Sequence, residues 1–390
     1  MEGSMAETTH SGRRAIIVGA GIGGLATGIA LARRGWQVEI LERAAEVGEA
    51  GSGLTLWANG LRALDVLGIG ARVRERAMAD TDAGIRNPAG RWLTRTDTDE
   101  LARRFGEVVM IPRTDLFEIL HGALPPDSVR LGCAVTGVEH LSDGVEVTHS
   151  GGVSTADLVV GADGIHSAVR QAVFPGAPTP RYAGYTAWRM ITAHPVPALH
   201  DGGQSWGRGE RFGIIALPDD RVYMFGVADS APGLRGPDGE YAEVRRRFGT
   251  WHDPIPALLD AVDPATVLRH DICELPPLSS YVLGRIALLG DAAHAMTPNM
   301  GQGANQGLED AVTLAALLDR NASVPAALAE YDQVRRPRTQ DIARRSHRIG
   351  VLAQLSSAPA VLLRDTVLRL TPGKAMLGSF APALTWQPPA

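Results

Sequence analysis

Apolar residues fall in short runs along this chain, and their spacing predicts its elements. Ala15 to Val18 are four consecutive apolar residues after Arg14, stopped by Gly19, the pattern of a strand buried on both faces. Gly24 to Arg34 has helical spacing and ends at Gly35, and Gln37 to Leu41 reads as the next strand. Strand, turn, helix, turn and strand within about 30 residues predict a parallel pair joined by a right-handed crossover. Asn59 reads as the cap of a helix running through Leu67 to a stop at Gly68. Residues 76 to 110 are irregular and polar, and Arg113 to Leu124 reads as a helix closed by Pro125-Pro126.

The second half begins with β-like alternation. Val135 to Val138, Val145 to Thr148 and Leu158 to Val160 are short strand patterns, and Phe212 to Leu217 and Val222 to Val227 alternate more clearly. Arg285 to Leu289 reads as a buried strand running into Gly290-Asp291. Gly303 to Leu318 follows as a helix, and Val324 to Leu355 as a long helical stretch interrupted at Pro337.

With 390 residues, the chain has room for two or three units and needs no disulfide or metal staple. Its 38 basic and 43 acidic residues give a net charge of −5, which disfavours a nucleic-acid partner. Lys374 is the only lysine, so the abundance of arginine is no evidence for phosphate binding. Cys133 and Cys273 are the only cysteines, which excludes a disulfide scaffold and a Cys-x-x-Cys redox centre and points to the cytoplasm. Ala15 to Ala32 are 18 uncharged residues, the length of a membrane span, but glycines break the run and no span is expected.

Those glycines carry the first chemistry. Gly19-Ala20-Gly21-Ile22-Gly23-Gly24 is a G-x-G-x-x-G between a strand and a helix. Gly19 serves the turn, Gly21 the close approach of a pyrophosphate, and Gly24 the helix–strand contact. Glu42 ends the next strand, where a carboxylate accepts hydrogen bonds from an adenosine ribose and repels a 2′-phosphate, so this motif suits FAD or NAD. Arg43 beside it is placed to cover the adenine or the pyrophosphate. Gly161-Ala162-Asp163-Gly164 follows a second strand. Gly290-Asp291-Ala292-Ala293-His294-Ala295-Met296-Thr297-Pro298 follows a third, with Gly301-Gln302-Gly303-Ala304-Asn305 opening a helix whose positive end suits a reduced flavin.

GAGIGGL…ER, GADGIHSAVR and GDAAHAMTPNMGQGANQGLEDA together resemble the class A flavoprotein monooxygenases, within them the group around salicylate hydroxylase, 3-hydroxybenzoate 6-hydroxylase and the zeaxanthin epoxidases. The resemblance runs from about Arg14 to about Arg338. It implies an α/β fold: a discontinuous Rossmann-like FAD-binding domain (12–75, 111–180 and 275–340), a β-rich substrate domain (76–110 and 181–274) and a C-terminal helical segment (341–390). It implies FAD held by Gly19, Gly21, Gly23, Gly24, Glu42, Arg43 and Arg113, by Asp163 and Gly164, by Asp291 on the ribityl chain, and by Gly301, Gly303, Ala304 and Asn305 at the pyrimidine ring. Pro298 would sit at the reactive flavin edge, and His294 is read as structural.

The implied reaction uses NAD(P)H as a transient co-substrate and O2. It hydroxylates or epoxidises an aromatic or heteroaromatic small molecule through a C4a-hydroperoxyflavin. Asp291, Pro298 and Arg189 are the expected catalytic residues, with Trp188, Phe212, Ile214, Tyr223 and Phe225 as pocket residues; ordinary strand packing competes for all five. No metal is implied, and the chain is expected as a monomer or homodimer. Gly48, Gly51 and Gly53 offer a flexible loop. The Trp-x-Trp-x-Ile-Pro motif of flavin halogenases is absent around Trp188. An FAD-dependent reductase or dehydrogenase of the same fold, or a non-catalytic FAD-binding protein, remains as the alternative.

Overall fold

The computed structural model describes residues 12–46, 52–79, 83–196, 202–371 and 373–389. Six strands form the first sheet, in the order Val282–Leu283, Ile286–Leu288, Leu158–Gly161, Arg14–Val18, Gln37–Leu41 and Val129–Arg130. All neighbours are parallel except the first pair. Ala15 to Ile17 and Leu158 to Val160 are fully buried, as strands covered on both faces require. The helices Ile22–Ala32 and Gly303–Arg320 cross against each other, where Gly23 and Gly307 let the backbones approach.

The first helix begins at Ile22, two residues ahead of the expected Gly24, so Gly23 and Gly24 belong to its first turn. A Cβ on Gly24 would lie 2.0 Å from the Gly19 carbonyl oxygen, so only glycine allows this turn.

The largest sheet has seven strands. In order they are Leu268–Glu274, Arg181–Ile191, Val222–Asp229, Glu210–Ala216, Gly203–Trp206, Ala83–Arg86 and Trp92–Thr96. The stretch expected to be irregular, 76 to 110, supplies two of these strands and the helix Thr98–Phe105, capped by Asp97 accepting from the Glu100 N–H at 2.8 Å. Its polarity misled because Trp92 packs between the guanidinium groups of Arg86 and Arg95. A small sheet joins Gly53–Leu56, Val109–Pro112 and Met78–Ala79, so it crosses the expected domain boundaries near 75 and 110.

Three helices close the chain where one was expected: Val324–Ala353, Ala358–Leu370 and Gly373–Leu384. The first runs unbroken through Pro337. Buried residues on both sides, Arg335 and Thr339 among them, hold it in place and offset the roughly 3 kcal/mol that an interior proline costs. Among the described residues, no single helix is long and apolar enough to cross a membrane.

Candidate active site

Four neighbouring strands of the six-stranded sheet end at one edge, and each ends in a motif. Val18 runs into Gly19, Leu41 into Glu42, Gly161 into Ala162-Asp163-Gly164, and Leu288 through Leu289 into Gly290-Asp291. The carboxyl edge of an open parallel sheet is where ligands bind in doubly wound folds. Motifs 270 residues apart in the chain meet there because strand order, not sequence order, sets neighbours.

The amino ends of two helices face the same edge. Ile22–Ala32 has Gly21 at its cap position and no side-chain cap. Its first backbone return bond is Leu25 N–H to Gly21, so the N–H groups of Ile22, Gly23 and Gly24 lack helical partners. Gly303–Arg320 repeats this: Gln306 N–H is the first to bond back, to Gln302 at 2.9 Å, leaving those of Gly303, Ala304 and Asn305. Both ends carry partial positive charge toward the crevice.

The predicted side chains divide into those that face this space and those that shape it. The Glu42 carboxylate accepts from the Ala20 and Ala44 N–H groups, each at 2.8 Å, which fixes it beside the first glycine turn. Arg43 is exposed next to it. Arg113 opens the helix Arg113–His121, half-buried, with its guanidinium over Phe117. Asp291 is exposed at the start of a one-turn helix.

Asp163 turns inward, accepting from Ser167 Oγ at 2.5 Å and from the Val169 N–H at 3.1 Å, so its carboxylate holds its own loop together. Burial pushes that carboxyl above its ordinary value, and the two hydrogen bonds hold it back. Asn305 is fully buried, and its side-chain amide is spent inside the protein. It accepts from the Trp57 N–H at 3.0 Å and donates to the Thr55 and Gly301 carbonyls, so only its backbone N–H remains for a ligand.

Behind the crevice lies a fully buried ionic cluster. Asp310 accepts from the Gly290 N–H at 2.9 Å and from Arg335 Nε at 2.6 Å, and its Oδ2 lies 2.6 Å from His294 Nε2. Glu309 binds Arg335 and Arg338 and accepts from Asn59 Nδ2 at 2.7 Å. Burial alone would raise the Asp310 carboxyl; the Arg335 guanidinium and His294 outweigh it and hold it below its usual range. This cluster corrects one expectation. Asn59 does not cap its helix, which spans Ala58–Val66 with Trp57 at the cap position; its amide donates to Glu309 and Gln302 instead.

A cavity of about 710 Å³ opens beside the crevice. Pro298 and Gly301 form part of its wall, with Thr55 and Trp57 from the first half of the chain and Phe225 from the large sheet. Trp57 stacks on Phe380, which also lines the cavity, with ring centres 5.4 Å apart, so the C-terminal helix closes one side.

Of the five expected pocket residues, Ile214 and Phe225 line the cavity. Trp188 and Phe212 do not. Both pair with Gly226 across the sheet, on the face that Phe248 covers; Ile214 shares that face and still lines the cavity, whereas Phe225 stands on the opposite face. Tyr223 packs against Met110 and Leu217, outside the wall. Arg189 lies half-buried opposite Phe225 in the ladder and is not part of the wall. Gly53 starts a strand, and a Cβ there would lie 2.9 Å from the Tyr223 ring, so it is packed rather than free; Gly48 and Gly51 lie outside the described residues.

The family described as FAD binding domain matches residues 13–346 of this chain. The chain belongs to that family. It is 38% identical over 365 residues to the aurachin C monooxygenase/isomerase of Stigmatella aurantiaca, covering 92% of this chain and 94% of that one. It is 34% identical over 365 residues to the 2-heptyl-3-hydroxy-4(1H)-quinolone synthase of Pseudomonas aeruginosa, covering 92% and 94%. Among solved structures, that of Klebsiella pneumoniae HpxO with FAD and uric acid superposes with a TM-score of 0.89 at 29% identity, covering 95% of this chain and 96% of that one. This family member is an FAD-dependent monooxygenase.

The residues present fit that cofactor. Gly21, Gly164, Gly290 and Gly303, at the strand ends and helix starts of this edge, each leave open space where an added Cβ would meet nothing within 4 Å. Gly19 and Gly24, by contrast, are packed against protein, as a tight turn requires. Sequence reasoning missed Trp57, Asn59, Glu309, Asp310 and Arg335. The adjacent carboxylates Glu309-Asp310, just ahead of the largely apolar run Ala311 to Leu318, were the available signal, since carboxylates on a buried face need partners.

Proposed function

We propose that this FAD enzyme consumes NAD(P)H and O2 to hydroxylate or epoxidise an aromatic or heteroaromatic small molecule held in the 710 Å³ cavity. One observation carries the reading: Pro298 and Gly301, the end of the Gly290–Asn305 motif, are walls of that cavity. The motif at the crevice and the substrate space therefore share a surface. Bound FAD supplies electron transfer from NAD(P)H and activation of O2, chemistry that side chains lack.

The protein's own groups bind, orient and exclude water. The N–H groups of Ile22, Gly23 and Gly24 hold the pyrophosphate, and Glu42 takes the adenosine ribose. Arg43 and Arg113 flank the diphosphate, and Asp163 shapes the turn that presents Gly164. The exposed Asp291 carboxylate would accept from the ribityl hydroxyls. The N–H groups of Gly303, Ala304 and Asn305 stabilise negative charge at the pyrimidine end. Pro298 would stand between that end and the substrate, and Arg189 would act from beside Phe225, its partner in the ladder. The apolar cavity walls, sealed by Trp57 on Phe380, keep the reacting atoms dry. Residues 12–75, 111–180 and 275–340 form the cofactor half and 76–110 and 181–274 the substrate half, a division supported by the six- and seven-stranded sheets.

The test is anaerobic stopped-flow reduction of the bound flavin by NADH and by NADPH, alone and with urate, aromatic acids or 2-alkyl-4-quinolones, followed by turnover under labelled O2. One compound should accelerate reduction and acquire a single labelled oxygen atom. Reduction that no compound accelerates, with no label in any product, would establish a reductase or dehydrogenase instead.

A further inference from the structure

We propose that the substrate is an uncharged heteroaromatic ring bearing a long apolar chain, and that Ile85, Trp206, Leu352 and Leu368 receive the chain. The proposal rests on the monooxygenase reading above and specifies the ligand of the same cavity.

The first observation is charge. Among the described residues of the cavity wall, only Asp220 and Arg221 are charged, neighbours of opposite sign in one turn. Arg189 lies outside the wall. A carboxylate or urate anion taken from water needs a fixed cation or several aligned donors to repay its desolvation. The polar side chains in the wall, such as Thr55, Thr96 and Gln204, are neutral and suit a ring carbonyl or N–H.

The second observation is shape and lining. At about 710 Å³ the cavity lies well inside the range of about 300–1,000 Å³ typical of drug-sized ligands. Its wall includes Pro298 and Gly301, and also Ile85, Trp206, Leu352 and Leu368 from the large sheet and the last helices. That second group carries almost no hydrogen-bonding capacity: the Trp206 indole N–H is already donated to Gln204 at 3.0 Å. A ring at the Pro298 end leaves apolar walls unfilled unless it carries an apolar substituent.

The third observation is the exit. Leu352 lines the cavity and is itself 42% exposed. The same two helices expose Val351, Leu362 and Leu363. A chain longer than the cavity therefore emerges over apolar surface rather than into water.

The test uses the FAD-loaded enzyme without reductant. 2-Alkyl-4-quinolones with methyl, propyl, pentyl, heptyl and nonyl chains are titrated while the flavin absorbance is followed. Salicylate and urate are titrated in parallel. The dissociation constant should fall steadily along the series, by up to about fourfold per methylene, and the two anions should bind more weakly than the heptyl compound. Leu352→Glu should flatten the dependence on chain length. Leu362→Glu, exposed on the following helix and outside the wall, should leave it steep. A flat dependence in the unaltered enzyme, no binding by any quinolone, or tighter binding of either anion would overturn the proposal. Turnover with labelled O2 on the same compounds separates the two readings. A steep series without labelled product leaves the chain assignment standing and removes the monooxygenase reading; labelled product from the anions alone does the reverse.

Discussion

Replacing Asp310 with Asn removes one charge from a site with no access to water. Asp310, Glu309 and Arg335 are all buried, and Arg338 reaches the cluster from its edge. The carboxylates of Asp310 and Glu309 face the guanidinium groups of Arg335 and Arg338. Asp310→Asn leaves one positive charge unmatched and weakens the acceptor that fixes the Gly290 N–H at 2.9 Å. Breaking a buried pair by removing one partner costs about 3–5 kcal/mol. For a cooperative unit of this length, an unfolding entropy of about 2.1 cal/mol/K per residue converts that loss to a fall in Tm of roughly 4–6 °C. Differential scanning calorimetry of the FAD-loaded protein measures it, and flavin retained after gel filtration reports the Gly290-Asp291 loop. The folded Asp310 carboxyl lies below its ordinary value of 3.8. Its contribution is therefore fully present above that value and lost only as the pH falls below it, so the penalty should shrink in acid. Adding Arg335→Met restores the balance, so the double variant should lose less than the sum of the single ones, by at least about 1 kcal/mol. An unchanged Tm and flavin content, or strict additivity in the cycle, would refute the reasoning.

Two further predictions follow from other parts of the molecule. Gly24→Ala places a methyl 2.0 Å from the Gly19 carbonyl oxygen, so the purified variant should be depleted of flavin, which the ratio of its visible flavin absorbance to its protein absorbance would show; full flavin content would contradict the packing argument. Glu243 is held down at about 2 by Arg246 first and also by Arg247. Its stabilising effect is present above 4.5 and lost between 4.5 and about 2. Glu243→Gln should thus lower stability by at most about 1 kcal/mol at neutral pH, with the difference from the unaltered protein shrinking in urea titrations at progressively lower pH, and a difference that grew in acid would reverse the sign of the argument.

The parts of the fold legible in the sequence are those where local rules and tertiary packing agree. Arg14–Val18 and Gln37–Leu41 form as read, because an apolar run flanked by turn residues has no other place to go. The misreadings have one cause: tertiary partners that local pattern does not contain. Asn59 had the chemistry of a cap and found a buried carboxylate 250 residues away. Pro337 had the chemistry of a break, yet Arg335 and Thr339 anchor the helix on either side of it. The segment 76–110 looked irregular and polar in pattern because Trp92 is covered by guanidinium groups rather than by apolar neighbours.

The candidate site divides along the same line. Glycines and strand-end acids were legible because backbone approach and strand termination are local requirements, and four of them meet at one sheet edge. The cavity wall was not, because alternation along a strand gives two faces without saying which one is covered. Trp188 and Phe212 were as good candidates as Phe225 until Gly226 opposite them proved to admit Phe248, whose ring would lie 2.6 Å from a Cβ there. Gly213 does the same for Phe225 on the other face, where an added Cβ would lie 2.1 Å from that ring. Each glycine thus marks the face on which an aromatic ring crosses a strand. One sits beneath a helix that fills the face, the other beside the cavity. Which of the two becomes the substrate wall is decided by where the helix Glu240–Phe248 docks, and that is a property of the whole molecule rather than of either strand.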